Sequence, residues 1–299
     1  MKLSDTLTTE YANVKSQVHE KLKSPSLDEE VKRILSAYEE VLSFYNYHEL
    51  RGDKRELMES IIERKTKMKY GSDAVTSASL SLLQFEKDPY FSQTSGIFLS
   101  TILQKHFNLH PDEKKYVLIT ESYDTRHLRF LCSEMKISEV FIQGNCGQFF
   151  GRRLSQGKLF VSGNAMDYLG DELNGGEIIV TGSSKKQVGS NMKKGNITVE
   201  GNIDSSCGYY MEGGVIHCKS NATYHTGNNM KEGTIVIDGS VEDGTGIDMK
   251  GGTIIVNGKT GTNVGQEMSG GKLFLHNKRV SISIVFSSGE IYNKGVRIR

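Results

Sequence analysis

The chain has 299 residues, of which 36 % are hydrophobic and 24 % charged, and its formal net charge is +1. This is the composition of an ordinary folded protein, and a charge so close to zero excludes a global electrostatic attraction to nucleic acids or to a membrane surface. No run of residues is long and apolar enough to span a bilayer, and the first residues do not have the pattern of a secretory signal. We therefore expect a cytoplasmic protein that makes no membrane contact.

Glycine divides the chain into two parts. Only three of the 32 glycines precede residue 144, whereas all three prolines do. Such a shift in composition indicates a domain boundary. We expect a helical domain over residues 1–112, a connecting strand and linker over 113–131, and a β-helix over 132–299.

Apolar residues recur at steps of three or four in the first part, which is the period of an amphipathic helix. The clearest stripes run over Leu7–Leu22, Val31–Tyr45 and Leu57–Met68, and weaker ones over Asp73–Glu86 and Ser92–Phe107. Either these stripes are buried together in a helical bundle, or the first helix pairs between subunits. Pro111 ends the helical region, and Tyr116–Thr120 follows as a predicted strand.

The second part repeats with a period of 19 residues. Seven glycines mark its frame without insertion or deletion: Gly151, Gly170, Gly189, Gly208, Gly227, Gly246 and Gly265. A Leu or Met follows each of them three residues later, and a second glycine six residues later. Apolar residues, including Cys218, follow eight and ten residues after each frame glycine. A degenerate unit with Met135, Val140 and Ile142 precedes the first complete one.

The repeat predicts a solenoid. An apolar pair two residues apart, flanked by glycines, is typical of a short strand that buries one face. Units this short cannot bury a core alone, so successive units stack and their strands pair in parallel. The Leu or Met fills a corner of the interior, and Ala165, Ile203, Ala222 and Val241 predict a second, weaker inward segment. The expected fold is therefore two-domain α + β, with helices followed by a single-stranded β-helix.

The segments Gly163–Gly182 and Gly258–Asn277 resemble the glycine-rich GXGXG β-helix. This domain forms the C-terminal part of the glutamate synthase large subunit and much of one structural subunit of formylmethanofuran dehydrogenase. The resemblance covers about Ser133–Asn277 and implies a right-handed, structural β-helix that carries no active-site residues. It does not extend to the helical part, which resembles no amidotransferase, flavin, iron–sulfur or molybdopterin module, so neither activity is implied.

No set of residues predicts chemistry of its own. The four cysteines form no C-x-x-C pair, and the eight histidines take different positions in the repeat, so neither type forms a metal-ligand pattern. Cys218 stands where other units have Val or Ile and is predicted to be a small core residue. We expect no catalytic, cofactor-binding or metal-ligating residues and no bound cofactor.

Two surface features favour docking. The middle residue of each main strand should face outward, yet several are apolar, namely Phe160, Ile179, Val236, Ile255 and Phe274. The helical domain, a second subunit or a partner could cover them. The early units also carry basic residues that predict a local positive patch, namely Arg152, Arg153, Lys158, Lys185, Lys186, Lys193 and Lys194. The neighbouring carboxylates Asp171 and Glu172 are expected to be solvated turn residues.

The leading hypothesis is a non-catalytic scaffold or assembly protein that binds protein partners or forms a homo-oligomer. The first alternative is a structural subunit of a multi-subunit oxidoreductase similar to glutamate synthase or formylmethanofuran dehydrogenase. The second is a dimerisation or docking factor on a ribonucleoprotein such as the ribosome, which draws on the basic patch.

Overall fold

The computed structural model describes residues 25–48, 55–67, 70–113, 115–119, 128–276, 280–282 and 288–299. Within these ranges, four α-helices precede an 11-stranded sheet. The predicted order of helices followed by a β-helix is therefore confirmed. The stripe predicted over Leu7–Leu22, and with it the pairing of that helix between subunits, lies outside the described residues.

The helices form at the apolar stripes. They are α1 Pro25–His48, α2 Arg55–Thr66, α3 Ser72–Ser81 and α4 Phe91–Leu109, with a short 3-10 helix Leu82–Phe85 between the last two. The inward residues of the α1 stripe are buried, as predicted: Ile34, Tyr38, Val41, Leu42 and Tyr45. None of the helices in the described ranges is both long enough and apolar enough to cross a membrane.

Tyr38 lies at the centre of the helical part. Its ring contacts the rings of Phe85 and Phe98, with centroid distances of 5.5 and 4.8 Å. Its hydroxyl shares a 2.7 Å hydrogen bond with the hydroxyl of Thr94, which satisfies the polar end of an otherwise apolar contact. The described helices thus bury their stripes against one another, as in the bundle interpretation.

The strands follow in chain order and pair each with the next. They are β1 Lys115–Ile119, β2 Lys136–Gln143, β3 Gln156–Val161, β4 Asn174–Val180, β5 Lys194–Val199, β6 Glu212–Cys218, β7 Glu232–Ile237, β8 Thr253–Val256, β9 Ser269–Leu275, β10 Ser288–Asn293 and β11 Val296–Arg297. All neighbouring pairs are parallel except β10 with β11. Strand β1, within the segment expected to connect the domains, is the first strand of this sheet.

The 19-residue period is the register of the sheet. Leu159 pairs with Ile178, and Ile178 pairs with Ile197, so equivalent residues of successive units stack directly. The two inward rows of the seven units are no more than 1 % exposed, and so are the corner residues, which run from Leu154 to Met268 at the 19-residue spacing. The core predicted from the repeat is therefore confirmed.

The second inward segment is a row of single bridges, not a continuous strand. These bridges join Cys146 to Ala165, Ala165 to Ser184, Ser184 to Ile203, Ile203 to Ala222, and Val264 to Ile282. Ala165, Ile203 and Ala222 are buried, and so is Val241, as the sequence predicted. Each coil thus pairs with the next through a strand of several residues on one side, and the bridged coils pair through a single residue on the other.

The frame glycines occupy left-handed turns that face the core. Gly189 has a φ of +64°, and a Cβ there would lie 2.4 Å from Cδ1 of Ile216 in β6. The residues two positions before and after each frame glycine are also left-handed, as in Phe149 and Arg153 with φ of 58° and 54°. In the degenerate first unit, Cys132 takes the place of the frame glycine with a φ of 58°.

Helix α4 fixes the helical part against the start of the solenoid. Gly96, Ser100 and Gln104 lie four residues apart and so share one face of this helix. The Ser100 hydroxyl accepts a hydrogen bond from the amide of Cys132 (2.8 Å), and the Gln104 side chain accepts one from the amide of Lys136 (2.7 Å). On α3, the Thr76 hydroxyl donates to the carbonyl of Val117 in β1 (2.8 Å).

Candidate docking surface

The middle residues of the strands form one outward row along the solenoid. In register they are Val117, Phe141, Phe160, Ile179, Thr198, His217, Val236, Ile255, Phe274 and Tyr292. The residues on either side of each of them point into the core, because side chains alternate along a strand. We call this set the outward row.

The first apolar stretch of the outward row is already covered in this chain. Phe160 and Ile179 are only 4 % and 3 % exposed. The ring of Phe160 packs against that of Phe141, with centroids 5.6 Å apart. Phe160 and Ile179 therefore offer little surface to a partner.

The second apolar stretch is accessible, and we call it the distal row. It consists of Val236, Ile255, Phe274 and Tyr292, which are half-buried and follow one another on four successive strands. The rings of Phe274 and Tyr292 are stacked, with centroids 4.9 Å apart and planes 13° from parallel. With a strand spacing of about 4.8 Å, the distal row extends over about 14 Å.

Two polar residues separate the apolar stretches. Thr198 and His217 occupy the outward row between Ile179 and Val236. The imidazole Nε2 of His217 lies 2.9 Å from the carboxylate of Asp238. The distal row is therefore a separate patch.

The arginines of the predicted basic patch are paired with acids. Nε of Arg152 lies 3.0 Å from a carboxylate oxygen of Asp171, and Nε of Arg153 lies 2.8 Å from one of Glu172. Lys158 pairs likewise with Glu177 at 3.0 Å. These pairs link successive coils and cancel much of the local positive charge.

The expectation that Asp171 is a solvated turn residue is wrong. Asp171 is only 6 % exposed, and burial raises the pKa of its carboxyl group despite the nearby charge of Arg152. The pKa of Glu172 is lowered, chiefly by its hydrogen bonds with Arg153. Because a 19-residue step separates Arg153 from Glu172, the repeat places them on adjacent coils.

The lysines of the basic patch lie at the surface. Lys185, Lys186, Lys193 and Lys194 are exposed, on either side of Gly189. Because the arginines are paired with acids, these four lysines are what remains of the predicted basic patch. The ribonucleoprotein hypothesis stays a prediction that no structural feature described above favours.

The cysteines contribute to packing. All four are buried, and burial raises the pKa of each thiol, so none is a reactive thiolate at neutral pH. Cys218 occupies an inward row between Val199 and Ile237, which confirms its predicted role as a small core residue. Among the described residues, no three His, Cys, Asp or Glu side chains are grouped to hold a metal ion.

A polar ladder that the sequence analysis missed runs along one corner. The amide of Asn164 donates to Oδ1 of Asn145 (2.7 Å), and the amide of Ser183 donates to Oδ1 of Asn164 (2.8 Å). The same bond recurs from Asn202 to Lys259 at each 19-residue step. The recurrence of Asn or Ser at this one position of the repeat was the available signal.

An aromatic stack lies where the helical part meets the solenoid, and it too was missed. The rings of Phe130, Phe149 and Tyr168 are nearly parallel, with successive centroids 4.7 and 4.5 Å apart. The guanidinium groups of Arg129 and Arg152 lie within 6.0 Å of the Phe130 and Phe149 centroids. Cation–π attraction stabilises this arrangement.

Parallel strands in unbroken register, with left-handed glycine corners, define the chain as a β-solenoid protein with a helical N-terminal part. The profile of the GXGXG motif family matches residues 118–293, which is more than half of the chain, and the chain belongs to this family. The resemblance noted in the sequence is thereby confirmed.

One solved structure that matches is the formyltransferase/hydrolase complex FhcABCD from Methylorubrum extorquens in complex with methylofuran. The identity is 29 %, the TM-score is 0.45, and the match covers 48 % of this chain and 58 % of that one. The chain thus spans less than two thirds of that relative. No protein in the comparison with curated proteins matches this chain significantly.

Proposed function

We propose that this protein is a non-catalytic scaffold that binds a protein partner, or a second copy of itself, through the distal row. The observation that carries the proposal is the accessible apolar stretch formed by Val236, Ile255, Phe274 and Tyr292. A contiguous apolar surface on a regular, rigid support is typical of a protein–protein interface.

The geometry of the solenoid supports this role. Each residue of the distal row lies on a strand that is paired on both sides, and the inward residues beneath are fully buried except Asn293, which is half-buried. A partner therefore meets a preorganised surface and loses little side-chain entropy on this side of the interface. Two stacked rings at the end of the row, Phe274 and Tyr292, supply the aromatic anchors that interfaces favour.

A narrower form of the proposal is a structural subunit of an enzyme complex whose catalytic chains are separate. Membership in the GXGXG family favours it. Co-purification of flavin, iron–sulfur or molybdenum proteins with this chain would separate that form from a general scaffold.

The test is a comparison of tagged full-length chains purified from the native cells. The wild type should retain a partner in fixed stoichiometry, or sediment as an oligomer. Ile255→Asp should lose that partner or oligomer, because a carboxylate in the distal row cannot be desolvated cheaply. Asn263→Asp is the matched control, since it adds the same charge at an exposed position of the same coil. Equal recovery with both variants would contradict docking through the distal row.

A further inference from the structure

A cavity of about 340 Å³ lies between helix α4 and the first coils. Its lining residues are Gln93, Ile97, Arg129, Ser133, Arg152 and Arg153, together with the ring of Phe130 and the carboxylate of Glu134. This volume falls within the range of about 300–1,000 Å³ that is usual for small-molecule sites.

The charge of the lining is positive. Three arginines and one glutamate line the cavity, which gives a formal sum of +3 − 1 = +2. Asp171 and Glu172 on the next coil hold Arg152 and Arg153 in place and offset their charges. Arg129 differs from them, because no carboxylate among the described residues pairs with it. Its buried Nε has no hydrogen-bond partner there, as is also true of the Nε of Arg152.

The backbone holds Arg129 at this wall. Its carbonyl lies against Gly96 of α4, where a Cβ would approach within 2.0 Å. The next residue, Phe130, donates its amide hydrogen bond to the carbonyl of Gln148 (2.9 Å). The Arg129 guanidinium lies 5.5 Å from the centroid of the Phe130 ring. Contacts with helix α4 and with the first coils thus fix the backbone at Arg129, and the Phe130 ring contacts its side chain.

Helix α4 contributes Gln93 and Ile97 to the lining. Gln93 lies in the first turn of this 19-residue helix, and the helix has no side-chain cap. The side-chain amide of Gln93 can donate a hydrogen bond to an anion that the neighbouring arginines bind.

We propose that this cavity binds a small molecule through a phosphate group, with Arg129 as the principal ligand. No carboxylate among the described residues offsets the charge of Arg129, and its planar guanidinium group can donate two hydrogen bonds to the oxygens of one phosphate. The remaining volume and the half-buried Phe130 ring accommodate the rest of the molecule. This site is separate from the distal row, so it stands or falls independently of the proposed docking.

The test is titration of the full-length protein with inorganic pyrophosphate and with inorganic phosphate by calorimetry at constant ionic strength. Saturable binding is expected, and Arg129→Gln should weaken it about tenfold or more. Lys185→Gln is the matched control, because it removes an exposed charge outside the cavity, and it should bind as the wild type does.

Gln93→Glu provides a second variant, which we expect to fold like the wild type. An acidic residue in the first turn favours the helix, yet it places a negative charge in the cavity and should weaken binding to a similar degree. Acetate at the same concentration should bind more weakly than phosphate. Absence of saturable binding to the wild type, equal affinity in Arg129→Gln and Lys185→Gln, or acetate binding as tightly as phosphate would overturn the proposal.

Discussion

The backbone of helix α4 touches the backbone of the first solenoid turn at Gly96, where a Cβ would lie 2.0 Å from the carbonyl oxygen of Arg129. Gly96→Ala in an isolated helix would add about 1 kcal/mol of stability. Here we expect a loss of about 1–3 kcal/mol, because the added methyl group forces the two parts of the molecule apart.

Chemical unfolding followed by circular dichroism measures this effect. Gly71→Ala is the control, since the nearest atom to its Cβ would be 3.9 Å away. The control should change the free energy of unfolding little. Stabilisation by Gly96→Ala would show that helix α4 does not pack on the solenoid in this way.

The repeat made the solenoid predictable in detail, whereas the contacts between helix α4 and the solenoid could not be predicted. Once the glycines were aligned, the period gave the strand register, the inward rows and the corner methionines, because each position is repeated seven times. Gly96 and Ser100 lie four residues apart, but a single pair of small residues in one helix has no repeated copy against which to compare it. The bond between Ser100 and Cys132 therefore emerged only from the fold.

The left-handed positions beside the frame glycines were missed for a different reason. Phe149 and Gln187 share one such position, with φ of 58° and 61°, yet they share no chemical property. The stacked coils, and not local preference, impose this conformation on them. In contrast, the pairing of Arg153 with Glu172 was available from their 19-residue separation.

Thr226→Val should stabilise the protein by about 1 kcal/mol. The Thr226 hydroxyl is buried and has no hydrogen-bond partner among the described residues. Valine has nearly the same shape and lacks the unsatisfied oxygen, so the cost of desolvating that oxygen is removed. Thr198→Val, on the half-buried outward row, is the control and should change the free energy of unfolding by less than about 0.5 kcal/mol. Destabilisation by Thr226→Val would indicate an unseen partner for the hydroxyl.

Asn164→Ala should reduce the free energy of unfolding by about 1 kcal/mol. Asn164 accepts a hydrogen bond from the amide of Ser183, and alanine leaves that amide without its acceptor. Asn164→Ser should cost much less, because Ser183 and Ser240 serve as acceptors at the same position in other coils. Equal losses in the two variants, measured by urea unfolding, would mean that the ladder does not depend on a side-chain oxygen here.

Glu172 should contribute stability that disappears in acid. Its pKa in the folded state is lowered from 4.5 by its hydrogen bonds with Arg153. A carboxyl group whose pKa is lowered by folding stabilises the fold at pH values above its unfolded-state pKa. This contribution is lost as the pH falls through the folded-state pKa. At neutral pH, Glu172→Gln should therefore cost up to about 1 kcal/mol, given the partial exposure of the pair.

Urea unfolding at pH 7 and about pH 3 tests this dependence. The difference between the wild type and Glu172→Gln should shrink as the pH falls. Glu232→Gln, at an exposed position, should show no comparable difference at pH 7. A difference for Glu172→Gln that grows in acid would contradict the assigned direction of the pKa shift.

Binding of a partner to the distal row is tested most directly by site-specific photo-crosslinking in the native cells. A benzophenone amino acid replaces Ile255 in one chain and Asn263, exposed on the same coil, in another. Aromatic rings are tolerated at the second position, because Phe149 and Tyr168 occupy the equivalent place in earlier coils. We expect a discrete crosslinked product from position 255 that is absent from position 263. No product from position 255, or the same product from both, would contradict docking through the distal row.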